Sequence, residues 1–187
     1  MQHTPNGKPG FFVVAQSTLL NDRAFDLATR TFLKFFHSIT PKHRRRVHFL
    51  ALDASPERTA LLARLNEKLE QPHPVLFSMK SSQVSELDAI RRQEAVLFHP
   101  HTAIGEIPRV ELLSHCLPVL TYDVWEKAHA FERASCLFVP TSLEEQASRE
   151  FHNYIRNLYF DPGALKLLRD RAIKHRRSVG NRIAAAA

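Results

Sequence analysis

The sequence predicts an α/β domain built on a mostly parallel, six-stranded sheet and closed by C-terminal helices. Three observations predict it: six short apolar runs, longer segments of helical period between them, and two long helical patterns at the end with no apolar run between. Parallel neighbours cannot be joined by tight hairpins, so the helical segments are the natural crossovers. A chain of 187 residues, 44% hydrophobic and 24% charged, suits one domain with a real core and is short for two. With Gly at 5 and Pro at 11, a collagenous or low-complexity chain is excluded.

The first apolar run, 11–15, is followed after a polar loop by a helical pattern over 22–38, where Phe25, Ala28, Leu33 and Phe36 share one face. This helix also holds Phe32 and Phe35, more rings than one buried stripe takes. Two readings stand, a thick core or a face for a partner domain. The run 47–52 ends at Asp53, and a helix begins at once, with Ser55 as N-cap, Pro56 at the first helical position and Glu57 in the first turn. It should reach about residue 69. A third strand is expected over 73–77, a short helix over 86–92 capped by Ser82 or Ser85, and a fourth strand over 95–98. A helix over 107–115, starting near Pro108, feeds the fifth strand at 118–122, and 135–139 is the sixth, closed by Pro140. The closing helices are 143–159 and 163–177, separated by Asp161-Pro162. No repeat or linker divides the chain, which gives a flexible segment at 1–10, one domain over 11–178 and a flexible tail at 179–187.

Charge and motif content narrow the chemistry. The net charge of +7 favours anionic partners. The basic clusters Lys42-His43-Arg44-Arg45-Arg46 and Lys174-His175-Arg176-Arg177 lack interleaved aromatics, so nucleic acid is not the expected partner; solvated faces, a helix C-terminus or a membrane surface account for them. Cys116 and Cys136 both sit in apolar runs and read as buried small hydrophobes of a reducing compartment. No apolar stretch is long enough to span a bilayer and the first ten residues lack a secretory segment, so the expected location is cytoplasmic, with peripheral contact at the membrane as the alternative. The sequences of the standard nucleotide loops and hydrolase elbows do not occur.

In a parallel sheet the ligand lies beyond the carboxyl ends of the strands, which singles out the loops 16–23, 53–55, 78–82, 99–106 and 121–127. The richest is 99–106, with His99, His101, Gly105 and Glu106 ahead of a helix that carries Glu111 on its first turns. Backbone N–H groups around Gly105 could hold a phosphate or sugar, and Glu111 could accept hydrogen bonds from vicinal hydroxyls. The plainer reading is a strand-to-helix turn whose glycine relieves strain. His99 and His101 lack a third ligand nearby, so no metal is expected. Asp53 and Asp123 could act as acids or bases, but nothing pairs either with a nucleophile.

The segment Ala103-Ile104-Gly105-Glu106-Ile107-Pro108-Arg109-Val110-Glu111-Leu112-Leu113-Ser114-His115-Cys116-Leu117-Pro118-Val119-Leu120 resembles, without a gap, the Glu-Gly-Phe-Gly-Leu-Pro-Leu-Leu-Glu-Ala-Met-Ala-Cys-Gly-Leu-Pro-Val-Val signature of family-four, or group 1, GT-B glycosyltransferases. Residues 11–16, 95–101 and Thr121-Tyr122-Asp123 resemble the flanking strands, and 143–177 the closing helices. The resemblance implies a Rossmann-like three-layer domain, one half of a GT-B fold, covering about residues 11–178. It implies a nucleotide-sugar donor of UDP or GDP type as substrate, no cofactor, and an N-terminal GT-B half in cis or as a separate chain. Transfer to a glycan or glycolipid acceptor would need that missing half, so the chain alone should be inactive.

By the same resemblance Glu111 matches the glutamate that contacts the ribose. Gly105, Glu106 and Ile107 match the loop facing the donor sugar and phosphates, Thr121 lies in a donor-side loop, and Arg23 matches the second basic residue across a one-residue insertion. Three positions depart from the pattern. Ala103 replaces the first glutamate, Gln16 replaces a phosphate-binding arginine, and Val124-Trp125-Glu126 replaces a glycine-rich loop. An alanine accepts no hydrogen bond from a sugar and a glutamine neutralises no diphosphate. The departures therefore raise the alternative of a degenerate, non-catalytic module acting in protein–protein interaction, with the phenylalanine-rich helix as its interface.

Overall fold

The computed structural model describes residues 10–80, 94–99, 117–122, 136–139 and 144–186. Six strands, β1 (Phe11–Gln16), β2 (Val47–Leu52), β3 (Leu76–Met79), β4 (Glu94–His99), β5 (Val119–Tyr122) and β6 (Cys136–Val139), form one sheet in the order β3-β2-β1-β4-β5-β6. All five pairings are parallel, so the fold is the expected α/β, Rossmann-like arrangement with no antiparallel strand among the described residues. Parallel strands are buried on both faces, which is why β1 and β2 read as near-continuous apolar runs rather than alternating ones.

Four helices accompany the described sheet at any length: α1 (Asp22–Ser38), α3 (Pro56–Leu69), α4 (Glu144–Phe160) and α5 (Pro162–Ala186), with a single turn, α2 (Pro41–Arg44), before β2. They share one core with Val13, Ala15, Phe49, Ala51, Val96, Phe98 and Leu120 of one sheet face. The opposite face presents Val14, Leu50, Leu52, Leu97 and Val119. The helices expected at 86–92 and 107–115, which would make the third layer, lie outside the described residues.

Local chemistry explains where the elements begin and end. The Asn21 side chain accepts a hydrogen bond from the Ala24 amide at 2.8 Å and starts α1. At the other end Arg44 donates to the carbonyls of Phe36, His37 and Ile39, each at 3.0 Å, satisfying oxygens that the last helical turn leaves over. Ser55 caps α3 through the Arg58 amide, with Pro56 in the first turn, as the sequence predicts. The third strand starts at Leu76 rather than residue 73. Pro74 has no N–H for a ladder, and Asn66 of α3 takes the amides of Val75 and Leu76 at 2.9 Å and donates to the Leu76 carbonyl, so pairing with β2 begins within this clamp and not before it. The last helix continues to Ala186, beyond the expected end at residue 177.

The phenylalanine-rich helix is not an interface. Phe25, Phe32, Phe35 and Phe36 are all buried in the chain's own core. Phe25 and Phe32 pack on Phe49 with centroids 6.3 and 5.5 Å apart, while Phe35 meets Phe11 and Tyr159 at 6.3 and 5.7 Å. The helix is covered by the sheet and by α4, to which Thr31 also reaches with a hydroxyl contact to Ser148 at 3.3 Å. Two covered sides need more than one apolar stripe, hence the number of rings.

On the opposite sheet face His48 stacks on Phe12 at 5.1 Å and meets the edge of Phe77 at 6.1 Å, and its Nδ1 has no hydrogen-bond partner. Burial pushes the imidazole down from its ordinary 6.5 to about 4, with the Pro74 carbonyl opposing the shift and His73 adding to it. Above pH 6.5 His48 is neutral folded or unfolded; between 6.5 and about 4 the unfolded chain takes a proton that the native state refuses, so stability falls as pH falls through that window. We predict that His48→Phe removes roughly 2–3 kcal/mol of the stability lost between pH 7 and pH ~4.5. Urea unfolding of both proteins at the two pH values measures it, and parallel losses would contradict it.

Candidate functional site

A crevice in an open parallel sheet forms where the strand order reverses, because the connections on either side depart to opposite faces. Here that point lies between β1 and β4, the two central strands. The carboxyl ends that meet there are Gln16 of β1 and His99 of β4, flanked by Asp53 after β2 and Thr121 on β5.

At the β1 side the chain leaves the sheet in a single 3-10 turn, Ser17–Leu19, and enters α1. Its geometry is set from α3. Arg58 Nη1 donates to the Ser17 carbonyl at 2.5 Å and to its hydroxyl at 3.0 Å, while Nη2 donates to the Leu20 carbonyl and the Asp22 carboxylate, both at 2.8 Å. The guanidinium also lies 4.7 Å from the Phe25 ring centroid, a planar fork laid on an aromatic face. The Arg58 side chain is 17% exposed, so it serves the loop rather than solvent. Its partners are 36 to 41 residues away along the chain, and no local pattern reveals it.

Gln16 donates from Nε2 to the Asp53 carboxylate at 2.9 Å and to the Thr18 hydroxyl at 3.2 Å. Asp53 can face it because its backbone adopts φ 51, a left-handed conformation that aspartate tolerates better than most residues, while its amide donates to the Met79 carbonyl at 2.8 Å. Asp53, read in the sequence as an acid or base without a partner, is thus part of a carboxamide–carboxylate pair. Such a pair offers acceptors to hydroxyl groups and adds a negative charge where a phosphate would otherwise be drawn.

Arg23 stands exposed on the first turn of α1, at the crevice end of that helix. Thr121 is fully buried and donates its hydroxyl to the His99 carbonyl at 3.0 Å, so its side chain fastens β5 to β4 at the crevice floor. His99 is likewise buried. The structure therefore brings Thr121 to the floor and Arg23 to the rim of the same edge. Gly105, Glu106, Ile107 and Glu111 lie outside the described residues, as do His101, Ala103 and residues 123–127. Among the described residues no group of histidine, cysteine, aspartate and glutamate is arranged to hold a metal ion. No helix among them is long and apolar enough to cross a membrane.

No protein-family model matches this sequence, and no curated protein sequence matches it. Solved structures do match the fold. The pneumococcal O-GlcNAc transferase GtfA, solved in complex with UDP and GlcNAc, aligns with a TM-score of 0.61 at 18% identity, over 89% of this chain and 32% of its own. The α,α-trehalose 6-phosphate synthase of Burkholderia multivorans aligns with a TM-score of 0.54 at 13% identity, over 98% of this chain and 45% of its own. The chain thus spans less than half the length of either. At these identities the likeness is one of fold: the chain has a Rossmann-like arrangement that both of these glycosyltransferases, which are of GT-B fold, also contain.

The clamp at Arg58 is testable. Replacing it by methionine keeps the stem against Phe25 and removes every donor. Arg58→Met should cost about 1.5–3 kcal/mol in urea unfolding, with the amides of the Ser17–Leu19 turn exchanging faster than those of α4. An unchanged exchange pattern in that turn would show that the loop holds its shape without it.

Proposed function

We propose that this chain is the donor half of a GT-B glycosyltransferase and binds a nucleotide sugar of UDP or GDP type at the β1/β4 crevice. The observation that carries the reading is the sheet order, which puts the reversal at β1/β4 in a domain whose structural neighbour GtfA was solved with UDP and GlcNAc. In this reading Glu111 accepts hydrogen bonds from the ribose hydroxyls, and the loop at Gly105, Glu106 and Ile107 faces the donor sugar and phosphates. Arg23 supplies positive charge at the rim, and the β5 end at Thr121 forms the floor. The acceptor, a glycan or glycolipid, is presented by an N-terminal half in cis or on a separate chain, and transfer needs both halves to position the reacting groups.

One feature favours a second reading, a nucleotide-sugar fold kept as a non-catalytic interaction module. Gln16, at the position where the resemblance expects a phosphate-binding arginine, is bonded to the Asp53 carboxylate. A diphosphate gains nothing there. The same pair suits hydroxyl recognition, which keeps sugar binding within the first reading and weakens the case for turnover.

Thermal unfolding with added UDP or GDP separates the two. A bound diphosphate at a hundredfold excess over its Kd stabilises the native state by about 2.7 kcal/mol, roughly 5–10 °C in Tm for a chain of this size. We expect that rise, and its loss in Glu111→Ala. No rise with any nucleoside diphosphate, together with a stoichiometric protein complex by light scattering, would give the second reading the field.

A further inference from the structure

We propose that the amino-terminal edge of the sheet, opposite the crevice, is a docking surface for an anionic lipid membrane, with Phe160 as its inserted side chain. The crevice occupies the carboxyl ends of the strands. At the other end, α1 and α4 terminate beside the starts of β1 and β2, and the chain between α1 and β2 is Ile39 through Arg46. Among the described residues only Phe160 and Leu167 are large hydrophobic side chains left about half-exposed, and Phe160, at 50%, sits in this edge. Its ring meets Tyr159 at 4.9 Å and His43 at 5.3 Å, both edge-on, and Arg156 holds its guanidinium 5.8 Å from the centroid. His43 is in turn fixed by a 2.8 Å hydrogen bond between Nδ1 and the Tyr159 hydroxyl. The protruding ring is therefore supported from below, with the Arg156 guanidinium beside it.

The charges around it are unevenly matched. Lys42, Arg45 and Arg156 are exposed. Arg44 is turned inward onto the carbonyls of α1, and Arg46 lies 3.9 Å from Glu94. Asp161, at the junction of α4 and α5, accepts from the Ala164 amide at 2.9 Å as the cap of α5. Within the segment 40–46 the exposed charges are cations. A half-exposed aromatic among exposed cations matches the boundary of a bilayer with anionic headgroups, where the ring enters the apolar margin and the cations stay with the phosphates. Nucleic acid fits less well, because among the described residues Phe160 is the one large exposed aromatic and Arg156 already lies over its ring, whereas stacking on single strands uses several open rings along a groove. Docking at this edge would leave the crevice facing away from the bilayer, so the surface acts as a tether and not as a route for a lipid substrate. It does not rest on the donor-binding reading.

Co-sedimentation of the whole chain with vesicles of phosphatidylcholine containing about a quarter phosphatidylserine, at roughly 0.1 M salt, tests the proposal. We expect most of the protein in the pellet with anionic vesicles and almost none with pure phosphatidylcholine. Lys42→Glu with Arg45→Glu should reduce binding at least tenfold, and Phe160→Ser several-fold, with far-ultraviolet circular dichroism and Tm verifying that each variant is folded. Arg64→Glu, on the exposed side of α3, should bind as the parent does. Binding that ignores both the charge reversal and Phe160→Ser, or no binding to anionic vesicles, would overturn it. So would tighter binding to duplex DNA than to vesicles, unaffected by Phe160→Ser, which would assign the edge to nucleic acid.

Discussion

The structure depends on one constraint, the central position of β1. It is hydrogen-bonded to β2 on one side and β4 on the other, both in parallel, and four of its six residues are fully buried. Its one polar side chain, Gln16, stands at its carboxyl end. Because the strand order reverses there, that end opens into a crevice instead of being closed over by a connection. Everything specific about the site follows from how the chain leaves β1. Gln16 turns to Asp53, the next three residues form a tight turn, and Arg58 holds that turn from a helix that arrives only after β2.

The two proposed functions fall at opposite ends of the sheet. The carboxyl end carries pre-organised polar groups, with Thr121 fastening β5 to β4 and Arg58 fastening the β1 loop, so a ligand would meet a floor that needs little reordering. The amino end carries solvent-facing cations and an exposed ring. The chain aligns with about a third of one glycosyltransferase and under half of another, so under the proposed reading binding and turnover are separate questions.

The elements whose signals are local were legible in the sequence. Apolar runs bounded by polar loops located all six strands, and Ser55-Pro56 located the start of α3. The third strand was misplaced by three residues because what delays it is Asn66, a side chain from another element bonding the amides of Val75 and Leu76. The rings of α1 counted correctly but left two readings open, since no periodicity says that both the sheet and α4 cover that helix. Arg58 and the Gln16–Asp53 pair join positions 36 to 41 residues apart, a separation at which composition and spacing carry no information. Of the residues expected at the site, Thr121 and Arg23 stand at the crevice end of the sheet, whereas the segment from Gly105 to Glu111 rests on the resemblance of its motif alone.

The central claim, that the β1/β4 reversal is where this chain meets its ligand, is tested most directly by following backbone amide resonances while titrating UDP or GDP. The account predicts saturable shifts confined to the carboxyl edge, at Gln16 to Arg23, His99 and Thr121 to Tyr122, with the amides of residues 40–46 unmoved. Shifts centred on residues 40–46 and Phe160, with the carboxyl edge silent, would contradict it.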